Sequence, residues 1–147
     1  MSQPVLEMTD LRIALPKGSD RPFALDGLSL KVMPGEIVCL VGESGSGKSL
    51  SAGAIMRLLP EPQVHVAGGS LHFDGEDILA KSEAEMRRIR GNRIAMIFQE
   101  PMTALNPQKT VGWQIDEVLR LHTRDGYQAR KARAIDMLER VHIPAPA

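Results

Sequence analysis

The sequence predicts an α/β fold on three observations. A strand over residues 36–41 is apolar on both faces and runs straight into a glycine-rich loop. Alternating apolar and polar residues ahead of it read as an antiparallel pair, and two amphipathic helical patterns follow it.

Taken in order, Leu11, Arg12, Ile13 and then Leu28, Ser29, Leu30, Lys31, Val32 alternate with period two, the mark of half-buried strands. Turn formers crowd residues 16–22 between them, so the two strands are expected to pair antiparallel. Pro34 and Gly35 supply a tight turn before the buried strand at 36–41. A helix is expected over residues 50–59, stopped by Pro60. Residues 69–73 read as a short strand ending in a hairpin turn at Asp74 and Gly75. Ser82 and Glu85 form a capping box that opens a helix reaching Arg90 and ending at Gly91. Residues 94–98 are a second fully apolar strand, ending in Gln99, Glu100 and Pro101. Trp113, Ile115, Val118, Leu119 and then Ala134, Ile135, Leu138, Val141 recur at helical steps, separated near Asp125 and Gly126. No repeat or linker divides the chain, and residues 143–147 carry no capping or strand signal.

Composition narrows the function classes. The 147 residues are 43% hydrophobic and 24% charged, with 23 Gly and Pro, so a packed core is expected rather than a low-complexity chain. Lys and Arg number 18, as do Asp and Glu, which removes the bulk positive charge of a nucleic-acid binder. The single Cys39 has no disulfide partner and is expected to be a small buried hydrophobe. The four His show no metal-ligand spacing, and a reducing, cytoplasmic setting is expected. The first ten residues lack the basic start of a secretory signal, and the longest apolar run, residues 37–41, is far below the roughly 20 residues of a membrane helix.

Gly42, Glu43, Ser44, Gly45, Ser46, Gly47, Lys48 and Ser49 match G-x-x-x-x-G-K-[ST] between an expected strand and an expected helix. Glycines allow successive backbone N–H groups to turn inward around phosphate oxygens, and the helix adds its positive N-terminal end. Lys48 would reach the outer phosphates, and the Ser49 hydroxyl would ligate Mg²⁺. Gln99, at the carboxyl end of an expected buried strand, sits where open α/β sheets bind ligands, though such a residue is more often a solvated loop contact.

With these residues in view, the chain resembles the ATP-binding subunit of an ABC transporter. Residues 42–49 together with residues 90–107, which read RGNRIAMIFQEPMTALNP, resemble the oligopeptide, dipeptide, nickel and glutathione importers. The resemblance covers the chain from about Leu6 onward. It implies a P-loop NTPase core with an antiparallel β subdomain and the start of a helical subdomain, an incomplete ABC ATPase fold. Residues 1–147 would be the N-terminal part of one nucleotide-binding domain, with the β subdomain and core to about residue 100 and the helical subdomain from about 101. ATP and Mg²⁺ are the implied cofactors, held by residues 42–49, Leu50 and Gln99, with Ser49 and Gln99 at the metal. The implied partners are a second ATP-binding subunit or domain and membrane permease subunits. The permease would bind through residues 99–107, which open at Gln99 and close at Pro107, and through the helices after them. Peripheral placement on the cytoplasmic membrane face follows, with no nucleic-acid partner.

Two departures from the family pattern bear on function. The expected base-stacking aromatic is absent from Leu11, Arg12, Ile13, Ala14, Leu15, which leaves Phe23 as the nearby candidate. The sequence also stops before the positions of the signature motif, Walker B aspartate, catalytic glutamate and switch histidine, so no catalytic residue is assigned within it. Ala104 replaces the usual Ser, with little expected consequence, and Glu100 is not read as the base. Two functions stay open on this reading: the ATP-binding component of an importer for peptides or related solutes, and a non-hydrolysing nucleotide-binding or vestigial fragment. A small P-loop kinase or GTPase is disfavoured, because no Asn-Lys-x-Asp motif occurs. Trp113 and the Leu residues around it are expected to be mostly core. The apolar strands at 36–41 and 94–98 predict low solubility for the isolated chain if nothing covers them.

Overall fold

The computed structural model describes residues 3–99 and 105–145. The chain forms two compact units, residues 1–90 and residues 91–147.

The first unit is built on a four-stranded antiparallel sheet of order β2-β1-β3-β4, with β1 Leu6–Ala14, β2 Phe23–Val32, β3 His65–Phe73 and β4 Glu76–Asp77. The first two strands pair as their alternation predicts, closing through residues 15–22 with Ala14 opposite Phe23. Strand β1 begins earlier than Leu11 because a bulge hides its period. Met8 faces Leu30 and Leu11 faces Leu28, so β1 holds one residue more than β2 across that span. Against β3 the same surplus lies between the pairs Thr9–Ser70 and Arg12–Gly68. Asp10 takes a left-handed φ of 50°, and the extra residue brings Met8 and Leu11 onto the same buried face, three positions apart. Gly69 passes so close to the bulge that a Cβ would stand 2.4 Å from the Asp10 carbonyl oxygen.

Helix α1, Lys48–Met56, starts two residues earlier and ends three residues earlier than Pro60 alone suggests. Arg57 takes a left-handed φ of 50° as its cap, and the Leu58 N–H closes on the Gly53 carbonyl at 2.8 Å. Helix α2, Glu83–Ile89, carries the expected capping box: the Ser82 hydroxyl accepts from the Glu85 N–H, and Glu85 Oε2 accepts from the Ser82 N–H at 2.8 Å. Arg90 ends α2 and reaches back to α1, donating to the Met56 carbonyl at 2.7 Å and the Arg57 carbonyl at 3.1 Å while pairing with Glu83 at 2.7 Å. Met8, Leu11, Ile13 and Leu71 of the sheet, Ile78 after β4 and Met86 of α2 are fully buried.

The two fully apolar segments depart from expectation. Residues 36–43 and 95–98 form no strand, and Ile37, Val41 and Ile97 are 91%, 86% and 98% exposed. A strand exists by hydrogen bonding to a neighbour, and no described strand pairs with either segment. Cys39 is accordingly exposed and not a buried hydrophobe.

In the second unit, α3 Val111–His122 and α4 Tyr127–Arg140 are the two expected helices, in contact with each other and separated at Asp125 and Gly126. The Thr110 hydroxyl caps α3 by accepting from the Trp113 N–H at 3.2 Å. Arg130 Nε donates to Asp116 at 2.6 Å and its Nη1 to the Asp125 carbonyl at 2.6 Å, tying α4 to α3 and to the turn between them. Most of the apolar residues of these helices are not core: Leu119 and Ala134 are buried, whereas Val111, Trp113, Val118, Leu121 and Tyr127 are exposed. The contact between α3 and α4 covers only part of each apolar stripe, and these exposed residues lie outside it.

Candidate functional site

The loop over residues 42–47 and the first residues of α1 form a closed cradle in the first unit. Lys48 folds back over it, with Nζ donating to the Gly42 carbonyl at 2.7 Å, the Glu43 carbonyl at 2.6 Å and Ser46 Oγ at 3.2 Å. The Ser46 N–H donates to the same Glu43 carbonyl at 3.2 Å, closing a tight turn inside the loop. The ammonium therefore sits on the loop's inner carbonyls, where an incoming anion would meet it.

Gly47 is required by packing as well as by backbone angle. Gly47 caps α1 at φ 91°, and a Cβ on it would lie 2.6 Å from the Ala24 carbonyl oxygen of β2. A Cβ on Gly42 would lie 2.8 Å from Ser46 Oγ. Gly47 also anchors the helix, since its carbonyl accepts from the Ser51 N–H at 2.8 Å and from Ser51 Oγ at 3.0 Å. No side chain caps the N-terminus of α1 and no acidic residue stands in its first turn, which leaves its N–H groups and positive end available to an anion.

Most of the site residues named from the sequence thus fall together. Gly42, Glu43, Ser44, Gly45, Ser46 and Gly47 form the loop; Lys48, Ser49 and Leu50 open α1, with Ser49 exposed. Gln99 lies in the second unit, exposed and at a bend. Glu100, Pro101, Met102, Thr103 and Ala104 lie outside the described residues. Phe23, the aromatic nearest the loop in sequence, opens β2 and is half-buried. Among the described residues no group of three or more His, Cys, Asp or Glu could hold a metal, which leaves single donors such as the Ser49 hydroxyl. No described helix is long and apolar enough to cross a membrane.

Sequence reasoning missed Arg21. Placed by the sequence only in a turn, it donates from Nη2 to the Gly45 carbonyl of the loop. No local pattern marks it, because the contact spans 24 residues and exists only once the β1–β2 turn folds over the loop.

The glycine loop under Lys48, opening a helix and set against an antiparallel sheet, defines a P-loop protein of the ATP-binding cassette type. The ABC transporter family matches residues 25–146. The chain belongs to that family. It is 48% identical over 144 residues to the probable D,D-dipeptide transport ATP-binding protein DdpD of Escherichia coli K12, covering 98% of this chain and 44% of that protein. It is 44% identical to the oligopeptide transport ATP-binding protein OppD of Bacillus subtilis 168, covering 97% and 40%. It is 50% identical over 127 residues to the dipeptide transport ATP-binding protein DppD of Escherichia coli K12, covering 86% and 38%. The chain thus spans less than half the length of these relatives. In fold it is similar to the ATP-binding cassette MJ0796, solved as a dimer bound to ADP and Pi, with a TM-score of 0.80 at 23% identity over 95% of this chain and 58% of that one.

Proposed function

We propose that this chain supplies the nucleotide-binding part of an ABC importer ATPase for peptides or related small solutes. The observation that carries the reading is the Lys48 ammonium held on the Gly42 and Glu43 carbonyls of a loop that closes at Gly47, where the Ala24 carbonyl leaves no room for a side chain. The relatives named for dipeptide and oligopeptide transport supply the substrate class.

In this reading residues 42–49 and Leu50 bind the phosphates of ATP. Lys48 exchanges the loop carbonyls for phosphate oxygens, and the N–H groups at the start of α1 complete the anion shell. Such a cradle fits a polyphosphate, because it offers one mobile cation and convergent backbone donors and needs no rearrangement of the helix. ATP bound there supplies the phosphoanhydride, and Mg²⁺ would be held by the Ser49 hydroxyl together with Gln99. Hydrolysis and its coupling to transport would use a second ATP-binding subunit. They would also use permease subunits received by residues 99–107 and by α3 and α4, whose exposed Trp113, Leu121 and Tyr127 support a partner surface. In the same proposal the protein would sit peripherally on the cytoplasmic face of the membrane, with residues 1–147 as the N-terminal part of one nucleotide-binding domain.

The test is nucleotide binding and turnover by the intact gene product, compared with its Lys48→Ala variant. Lys48-dependent binding with Lys48-dependent turnover is the expected result. Binding without turnover favours the non-hydrolysing reading, and ATP affinity unchanged by Lys48→Ala rejects both.

A further inference from the structure

Arg21 lies in the turn between β1 and β2, and its guanidinium Nη2 donates to the Gly45 carbonyl at the tip of the phosphate loop. Among the described residues that carbonyl is its hydrogen-bond partner and no carboxylate pairs with it. Arg21 is thus an exposed guanidinium committed to the loop.

The consequence follows from peptide geometry. The Gly45 carbonyl and the Ser46 N–H belong to one planar trans peptide and point in opposite directions. With the carbonyl held toward Arg21, the Ser46 N–H is turned to the inner side of the loop, where it meets the Glu43 carbonyl at 3.2 Å. That same carbonyl takes the Lys48 ammonium at 2.6 Å. Arg21 therefore grips from outside the peptide whose N–H lines the cradle beside Lys48. Gly45 carries no Cβ, so its ψ torsion, about which this peptide turns, is only weakly restrained by sterics.

We infer that Arg21 is a positioning residue for nucleotide binding: its hold on the Gly45 carbonyl keeps the Ser46 N–H aimed into the cradle, so that a polyphosphate meets a preorganised loop. This rests on the nucleotide-binding reading of the loop. Arg21 acts through the loop backbone and needs no contact with the nucleotide itself.

The experiment is calorimetric ATP titration of the intact protein as wild type, Arg21→Ala, Arg21→Lys and Lys48→Ala, with nucleotide-free thermal midpoints for each. Arg21→Ala should weaken ATP binding about tenfold, the scale of one hydrogen bond from a charged donor. Its nucleotide-free midpoint should stay within about 2 °C of wild type. Arg21→Lys, which can still donate to the Gly45 carbonyl, should recover affinity to within about threefold of wild type. Wild-type affinity in Arg21→Ala overturns the inference, as does a loss that Arg21→Lys fails to recover or that follows a lowered midpoint. If the wild type binds no ATP, or Lys48→Ala binds it equally well, the nucleotide reading itself falls and this inference with it. An unaffected Arg21→Ala beside a defective Lys48→Ala removes Arg21 alone.

Discussion

The α-carbon of Gly47 rests against the carbonyl of Ala24 in β2, so closely that a Cβ would approach that oxygen to 2.6 Å. The contact joins the sheet edge to the residue that caps α1, and it fixes where the phosphate loop hands over to the helix. Gly47→Ala must displace one of the two backbones and also adopt a φ of 91° that L side chains rarely take. We expect a loss of about 1–3 kcal/mol in stability, seen as a lower urea midpoint, together with weaker ATP binding.

Lys48→Ala removes the three hydrogen bonds its ammonium makes to the loop and a cation placed to follow a phosphate. ATP affinity should fall by at least about tenfold, because a charge-assisted contact to phosphate is lost. Because the loop lies at the surface, the nucleotide-free fold should be little changed by circular dichroism.

The capping box of α2 predicts a pH dependence. The Ser82 hydroxyl bonded to Glu85, and the Arg90 guanidinium bonded to Glu83, hold both carboxyls below their ordinary value of 4.5. A lowered folded value means that this stability is present above about pH 4.5 and is lost as pH falls through the folded values. Acid unfolding followed by circular dichroism should therefore start at higher pH in Glu83→Gln than in wild type if Arg90 supplies the effect the geometry indicates. At neutral pH Ser82→Ala should cost about 0.5–2 kcal/mol, the usual scale of a lost N-cap.

In the second unit, Asp116 holds Arg130 and raises the guanidinium pKa through their hydrogen bond. Asp116→Ala leaves Arg130 with only the Asp125 carbonyl of its two partners. Amide exchange in α3 and α4 should quicken about fivefold to tenfold while β1 and β3 are unaffected, because the opening is local to one unit.

Exposure of Ile37, Val41, Ile97 and Phe98 predicts that the 147-residue chain, prepared by itself, associates with increasing concentration. Sedimentation velocity should show the weight-average mass rising over a micromolar series. Ile37→Glu combined with Ile97→Glu should suppress that rise.

Much of the fold follows from local chemistry that the sequence states outright. Ser82 and Glu85 specify a capping box between themselves, the crowded turn formers at 16–22 return β1 onto β2, and G-x-x-x-x-G-K-S specifies a loop with Lys48 closing it. Each depends on residues a few positions apart, so spacing suffices. The bulge at Asp10 was not legible, because an inserted residue breaks the period by which strands are recognised. The exposed segments at 36–41 and 95–98 show the converse: an apolar run encodes a demand for burial, and only a neighbouring strand turns that demand into structure.

The sequence by itself determined the phosphate loop, the caps and the family, since those rest on residue type at short fixed spacing. Only the tertiary structure decided that Ala24 makes glycine obligatory at position 47 and that Arg21 grips the Gly45 carbonyl. Both contacts join residues more than twenty positions apart. They exist because the antiparallel pair β1–β2 brings its turn and edge against the loop, a closeness that no local pattern encodes.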